Sequence, residues 1–302
     1  MKMIDLHTHG LGGYGTRGAS PGDILAMAGL QGSAGVEAIL PTIFSAPIDE
    51  MRRDISAVRA AMQMQREERE SPGISPVARI TGVHLEGPFL NPAEAGALDR
   101  GSFLPVAAEA WRKLVEGFED IVRIVTIAPE LDGATWLIRD MADMGVIVSM
   151  GHSDATWSEA EAGLKAGARG VTHIFNAMRG VHHREPGIAG FALMNPDVYV
   201  EVIADPYHLD PRMIEFIFRV KGPGRILLIS DTVKGSPCSG EGRPVTDDKG
   251  KLLGGSMPLA ASVARLLALG FDREAVARAA TENPATYLGL SRIAGNVHEP
   301  EA

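Results

Sequence analysis

The chain has 302 residues, 45% hydrophobic and 22% charged, with 29 basic against 38 acidic side chains and a formal charge of −9. That length suits one α/β barrel of roughly 250 residues, and an acidic balance without any basic block argues against nucleic-acid binding. A single cysteine, Cys238, excludes an intramolecular disulfide, the start MKMIDLHTHG lacks a signal peptide's apolar run, and no segment approaches a membrane span, so a cytoplasmic protein is expected.

In chain order, residues 3–6 form a first apolar strand that runs into His7-Thr8-His9, two imidazoles on one strand face. A glycine-rich loop follows over 10–18, and Ser20-Pro21 opens a helix through about residue 29. Residues 37–40 read as a short second strand, 48–70 as a long helix with a solvated charged tail at 66–70, and 71–76 as a Ser/Pro/Gly connector. A third strand, 80–85, ends on Glu86-Gly87-Pro88; a long loop, 89–104, then precedes a helix near 106–117. The fourth strand, 122–127, ends at Ala128-Pro129-Glu130, with its helix at 133–144.

The stretch 146–178 is the organising one. Its apolar, β-branched run 146–150 is a buried strand that stops just before His152. An amphipathic helix, 158–166, carries acids early and a lysine late, and a short strand, 170–172, ends on His173. If the two strands are parallel neighbours, the two histidines lie side by side. A seventh strand, 199–204, ends at Asp205 and is followed by a helix at 211–220; an eighth, 225–230, ends at Asp231. After a Gly/Pro/Asp-rich loop come helices at 259–269 and 273–280 and a last turn at 284–288.

Eight β-then-α units with no strand pair in hairpin spacing predict a single (β/α)8 barrel over residues 1–302. In that fold the carboxyl ends of the strands carry the active site. His7, His9, Glu86, His152, His173 and Asp231 all fall there, and imidazoles with carboxylates are the ligand set for Zn, Fe or Mn. Glu86 could bridge two ions, so the set could hold one metal or two. A bound metal would activate water and polarise a carbonyl, and Asp231 is the residue best placed to move a proton to a leaving amine. A lone strand-end histidine is more often structural than ligating; it is their joint placement on different strands that favours a metal site.

Other residues carry weaker signals. Asn176-Ala177-Met178 opens a loop whose amides could hold an anion, although composition alone favours a plain turn. Arg184 is either a solvated arginine or a phosphate contact. His208 faces the same rim from the end of the seventh strand. Met141, Met144 and Met150 read as packing, and Cys238 has no partner that would make it a nucleophile.

The segments IDLHTHG, GVHLEGPFLNP, TIAPE, GHSDAT, THIFNAM, REPGIAG and ATENPATYLGL occur in order from residue 4 to about 295. Together they resemble the N-acetylglucosamine-6-phosphate deacetylases of the amidohydrolase superfamily. The resemblance implies a metal-dependent amide hydrolase acting on a phosphorylated amino sugar. It implies Glu86, His152 and His173 as principal metal ligands, His7 and His9 as a pair supporting a second ion, and Asp231 as the catalytic acid/base. It also implies substrate contacts from Ala97, Asn176, Ala177 and His208, and a phosphate-binding Arg184 donated across a homodimer interface.

Three departures accompany the likeness. No segment corresponds to the family's small β-sandwich, so a barrel without it is expected. Gly96-Ala97 is followed by Leu98 where the family commonly has a histidine. The usual Ala-Asp-Gly reads Ala204-Asp205-Pro206, and the proline stiffens the approach to His208. A rival reading, another N-acyl compound as substrate, follows from Leu98; a non-catalytic sugar-phosphate binder is the alternative from outside enzymology.

Overall fold

Eight parallel strands form the centre of the computed structural model, which describes residues 1–69, 77–240, 243–293 and 296–298. They are β1 (Met3–Thr8), β2 (Val36–Phe44), β3 (Val83–Glu86), β4 (Val122–Ile127), β5 (Ile147–Met150), β6 (Gly170–Val171), β7 (Tyr199–Ile203) and β8 (Ile226–Ile229). Each pairs with the next in sequence, and the pair Arg79–Ile80 adds to the β2 side. Residues just past the strand ends close the ring. Asp231 N donates to His7 O at 2.8 Å and His9 N to Thr232 O at 2.7 Å, while Ser230 N donates to Asp5 Oδ1 at 3.1 Å. This is the expected barrel.

The helices are α1 (Pro21–Ser33), α2 (Ile48–Arg69), α3 (Ala108–Val115), α4 (Ala134–Asp143), α5 (Trp157–Ala166), α6 (Gly187–Met194), α7 (Pro211–Lys221), α8 (Leu259–Ala268), α9 (Arg273–Ala280) and α10 (Glu282–Tyr287). Ser20 and Asp23 form a capping box at the start of α1, with Pro21 in the first turn. Thr156 and Glu159 do the same for α5. None of the described helices is long and apolar enough to cross a membrane.

Several local expectations change. The second strand runs to nine residues. Pro41 does not end it, because it falls between two ladders, Ile39 opposite Ile80 and Thr42 opposite His84, where its missing N–H costs no bond. The third strand starts late because Gly82, at φ +133°, breaks the chain after Ile80. Helix α1 passes Gly29 since its buried face continues through Gln31 and Gly32. Helix α6 was not foreseen at all: GIAGFALM buries seven of its eight residues and so shows no polar face to mark a helical period. Short antiparallel pairs also occur, Gly10–Leu11 with Tyr14–Gly15, Val245–Thr246 with Leu252–Gly254, and Ser291–Ile293 with Asn296–His298. The predicted connector 71–76 and the helix end at residue 70 lie outside the described residues.

A large apolar cluster joins strand residues such as Ile39, Leu85, Val125 and Val148 to helix residues such as Met27, Ile55, Leu137 and Ile214. A smaller one gathers Leu40, Ile124, Ile147, Leu227 and Ile229 around Tyr287 and Leu288. Together they fix the strands whose carboxyl ends carry the polar residues described next.

Candidate active site

His7, His9, Glu86, His152, His173 and Asp231 meet at one end of the barrel, although they come from β1 and the residue after it, from β3, and from the residues following β5, β6 and β8. Glu86 is central. Its Oε1 lies 3.0 Å from His152 Nε2 and 3.1 Å from His173 Nε2, and its two oxygens lie 3.5 and 3.3 Å from Nε2 of His7 and His9. Asp231 Oδ1 stands 3.3 Å from His7 Nε2 and 3.5 Å from His9 Nε2. The backbone is unusual at the same places, with positive φ at His152 (48°), His173 (29°), Ala177 (47°) and Asp231 (50°). Non-glycine residues rarely hold that conformation, and clusters of it mark functional sites.

The far nitrogens of the rings decide what the near ones can do. His9 Nδ1 donates to Thr42 O at 3.0 Å, His152 Nδ1 to Glu94 O at 2.9 Å and His173 Nδ1 to Asn176 O at 3.2 Å. His7 Nδ1 faces Glu201 Oε2 at 3.1 Å. A carbonyl or carboxylate oxygen only accepts, so each Nδ1 carries the hydrogen and each neutral ring presents its Nε2 lone pair. Yet His7 Nε2 is 3.1 Å from His9 Nε2, and His152 Nε2 is 3.2 Å from His173 Nε2. Facing lone pairs at that distance repel unless a cation is shared between them. The donor set therefore fits divalent metal, as one group of Glu86, His152 and His173 and another of His7, His9 and Asp231.

Burial sets the charges. It lowers the His7 pKa well below the ordinary imidazole value, outweighing the pull of Glu86. Burial alone would raise Glu86, but the imidazoles of His152, His173 and His9 that face it hold it well below the usual carboxylate range. Asp231 is pushed up from the ordinary carboxylate range, first by burial and then by repulsion from Glu86. A carboxyl raised in this way holds a proton more readily than a free one, which suits proton transfer.

Above these groups opens a cavity of about 250 Å³, lined by Phe44, Gly96, Ala97, Leu98, Asn176, Ala177, His208 and the 251–254 segment. The structure thus brings Ala97, Asn176, Ala177 and His208 to the cavity above the cluster of histidines, Glu86 and Asp231, where the resemblance had placed them. His208 is oriented through Nδ1 by Asp205 Oδ2 at 3.0 Å, and the same oxygen accepts from Ser256 N at 2.9 Å. Glu130 ties down the loop after β5, accepting from Ser153 Oγ and Asp154 N at 2.7 Å each. Phe44 stacks on His9 with centroids 3.7 Å apart. Arg184 stands apart: it is exposed, does not line the cavity of its own chain, and has Nη1 2.8 Å from His183 Nε2. A larger cavity, about 400 Å³ beside Phe218 and Phe271, lies away from this chemistry.

Two residues escaped the sequence reading. Glu201 on β7 is 1% exposed, and besides His7 it accepts from His173 N at 3.3 Å. His84 on β3 is fully buried between Leu6 O (3.1 Å) and Thr126 Oγ1 (2.8 Å), with burial lowering its pKa to about 3. An acid inside the apolar strand YVEVI was the available signal for the first. For the second, HLE places His84 two residues before Glu86 and so on the same strand face.

No family model matches the chain. The N-acetylgalactosamine-6-phosphate deacetylase of Escherichia coli O157:H7 is 32% identical over 97% of this chain and 79% of its own length. The N-acetylglucosamine-6-phosphate deacetylase of Bacillus subtilis is 35% identical over 77% of this chain, a match spanning only 57% of that relative. Among solved structures, a mutant N-acetyl-D-glucosamine-6-phosphate deacetylase of Mycobacterium smegmatis, in complex with N-acetyl-D-glucosamine-6-phosphate, superposes with a TM-score of 0.80 at 27% identity, covering 95% of this chain and 77% of that one. With the barrel, the histidine and carboxylate cluster at its strand ends and these relatives in agreement, the chain belongs to the N-acetylglucosamine-6-phosphate deacetylase family.

Proposed function

We propose that the protein is a metal-dependent hydrolase that converts N-acetylglucosamine-6-phosphate and water to glucosamine-6-phosphate and acetate. The convergence of four imidazole Nε2 atoms on Glu86 and Asp231, at the floor of a cavity, carries this reading. Glu86, His152 and His173 would hold one divalent ion, and His7 and His9 with Asp231 a second; zinc, iron and manganese all suit such ligands. When bound, the cation supplies Lewis-acid polarisation of a carbonyl and brings the pKa of water toward neutrality.

The chain's own residues do the rest. Asp231 takes a proton from the attacking water and delivers it to the amine nitrogen as the C–N bond breaks. His208, oriented by Asp205, contacts the amide carbonyl, while Ala97, Asn176 and Ala177 position the sugar phosphate. Arg184, too far out to serve its own cavity, reaches the phosphate of a partner in a homodimer. The exposed Cys238 and absence of any second cysteine suit the cytoplasm.

The test is acetate release from N-acetylglucosamine-6-phosphate by metal-loaded protein. Turnover is expected to vanish with a chelator and to fall about 10²- to 10⁴-fold in Asp231→Asn, which keeps at least its Glu86, His152 and His173 ion. Metal-loaded protein that releases no acetate would overturn the assignment. The galactosamine epimer is the second reading, favoured by Leu98 on the cavity wall and by the name of the Escherichia coli relative; comparing the two sugar phosphates at equal concentration separates them.

A further inference from the structure

The cavity lies in a chain of formal charge −9. A doubly charged phosphate entering such a pocket needs a cation from the walls. Among the described residues lining it, Lys251 is the one lysine or arginine.

Its position is built from both sides. Lys251 stands beside the strand Leu252–Gly254, in a turn where Asp247 Oδ1 accepts from Lys249 N and Lys251 N at 2.9 Å each. The base of this hairpin is tied to the catalytic strand end, because Gly255 N donates to Asp231 O at 2.7 Å. A Cβ at Gly255 would fall 1.9 Å from Ser230 O, so only glycine allows that approach. From there the Lys251 ammonium reaches across to donate to Gly96 O on the opposite wall, next to Ala97 and Leu98. Gly96 itself sits at φ +55°, and a Cβ there would fall 3.0 Å from the Ala177 Cβ.

We propose that Lys251 is a specificity-determining residue that binds the substrate phosphate from within the same chain. This rests on the deacetylase reading above. The ammonium exchanges an exposed neutral carbonyl for a phosphate oxygen, and a charge-assisted bond is the stronger of the two. It is in place whether or not Arg184 arrives from a partner.

The experiment compares kcat/KM on N-acetylglucosamine-6-phosphate with that on unphosphorylated N-acetylglucosamine, for wild type, Lys251→Met and Lys251→Arg. In Lys251→Met the phosphorylated-to-unphosphorylated ratio is expected to fall about 10- to 100-fold, carried by KM, and Lys251→Arg restores most of it. An unchanged ratio, whether both substrates suffer equally or neither does, overturns the proposal and leaves Lys251 as a latch to Gly96. If wild type hydrolyses neither compound, the deacetylase reading has failed by itself. Calorimetric binding of inorganic phosphate then decides for Lys251: binding lost in Lys251→Met upholds the cation site, and equal binding in both proteins removes it.

Discussion

Glu201 and His7 are 194 residues apart, yet the carboxylate fixes which ring nitrogen of His7 faces Glu86 and Asp231. Acids placed behind a ligating histidine orient the ring and raise its basicity. Replacing Glu201 with Gln leaves an amide that can present either a donor or an acceptor, so the tautomer is no longer held. Glu201→Gln is expected to weaken metal retention at the His7 and His9 side about 10- to 100-fold, read as metal per protein after dialysis against graded chelator. Wild-type retention would show that the Nδ1 contact does not govern the ligand. At this scale, residue type was legible and pairing was not. The strand ends announced His7, Glu86 and Asp231, whereas Glu201 and His84 lie inside apolar strands and their partners are set by the ring's closure.

Helix α5 is the element that separates His152 from His173, so its start sets the path of both loops. Thr156 Oγ1 accepts from Glu159 N at 3.4 Å, and Glu159 Oε2 accepts from Thr156 N at 2.8 Å. Thr156→Ala removes half of that box and is expected to cost about 1 kcal/mol of folding stability, measured by urea denaturation of the metal-loaded protein. A loss below about 0.3 kcal/mol would mean that packing alone starts the helix. Such caps are short-range signals, which is why α5 and α9 match their expected bounds closely and the start, though not the end, of α1 does. Helix α6 and the full length of β2 were not. One is apolar on every side, and the other contains a proline whose harmlessness depends on which neighbour it meets.

Over the whole molecule, the closed ring of strands gathers four imidazole Nε2 atoms into one space, in pairs 3.1 and 3.2 Å apart, where a shared cation relieves the repulsion of facing lone pairs. Any ligand bound by the native state alone stabilises it by mass action. Stripping metal with a chelator is therefore expected to lower the melting temperature by on the order of 5–10 °C, recovered when zinc, iron or manganese is returned. A melting temperature indifferent to chelation would show that the cluster relaxes without a cation, against the metal reading.

Local sequence is enough for the alternation of strands and helices and for the identity of the polar residues at the strand ends. Both are written in local periodicity, caps and turn residues, within reach of a few neighbours. Only the tertiary structure decided that six of those residues share one centre, that Glu201 and His84 stand behind it, and that Lys251 spans to Gly96 across the cavity. Lys251 with Gly96, Glu201 with His7 and Asp231 with His7 lie 155, 194 and 224 residues apart. No local pattern encodes them, because they exist only once the ring of strands has closed.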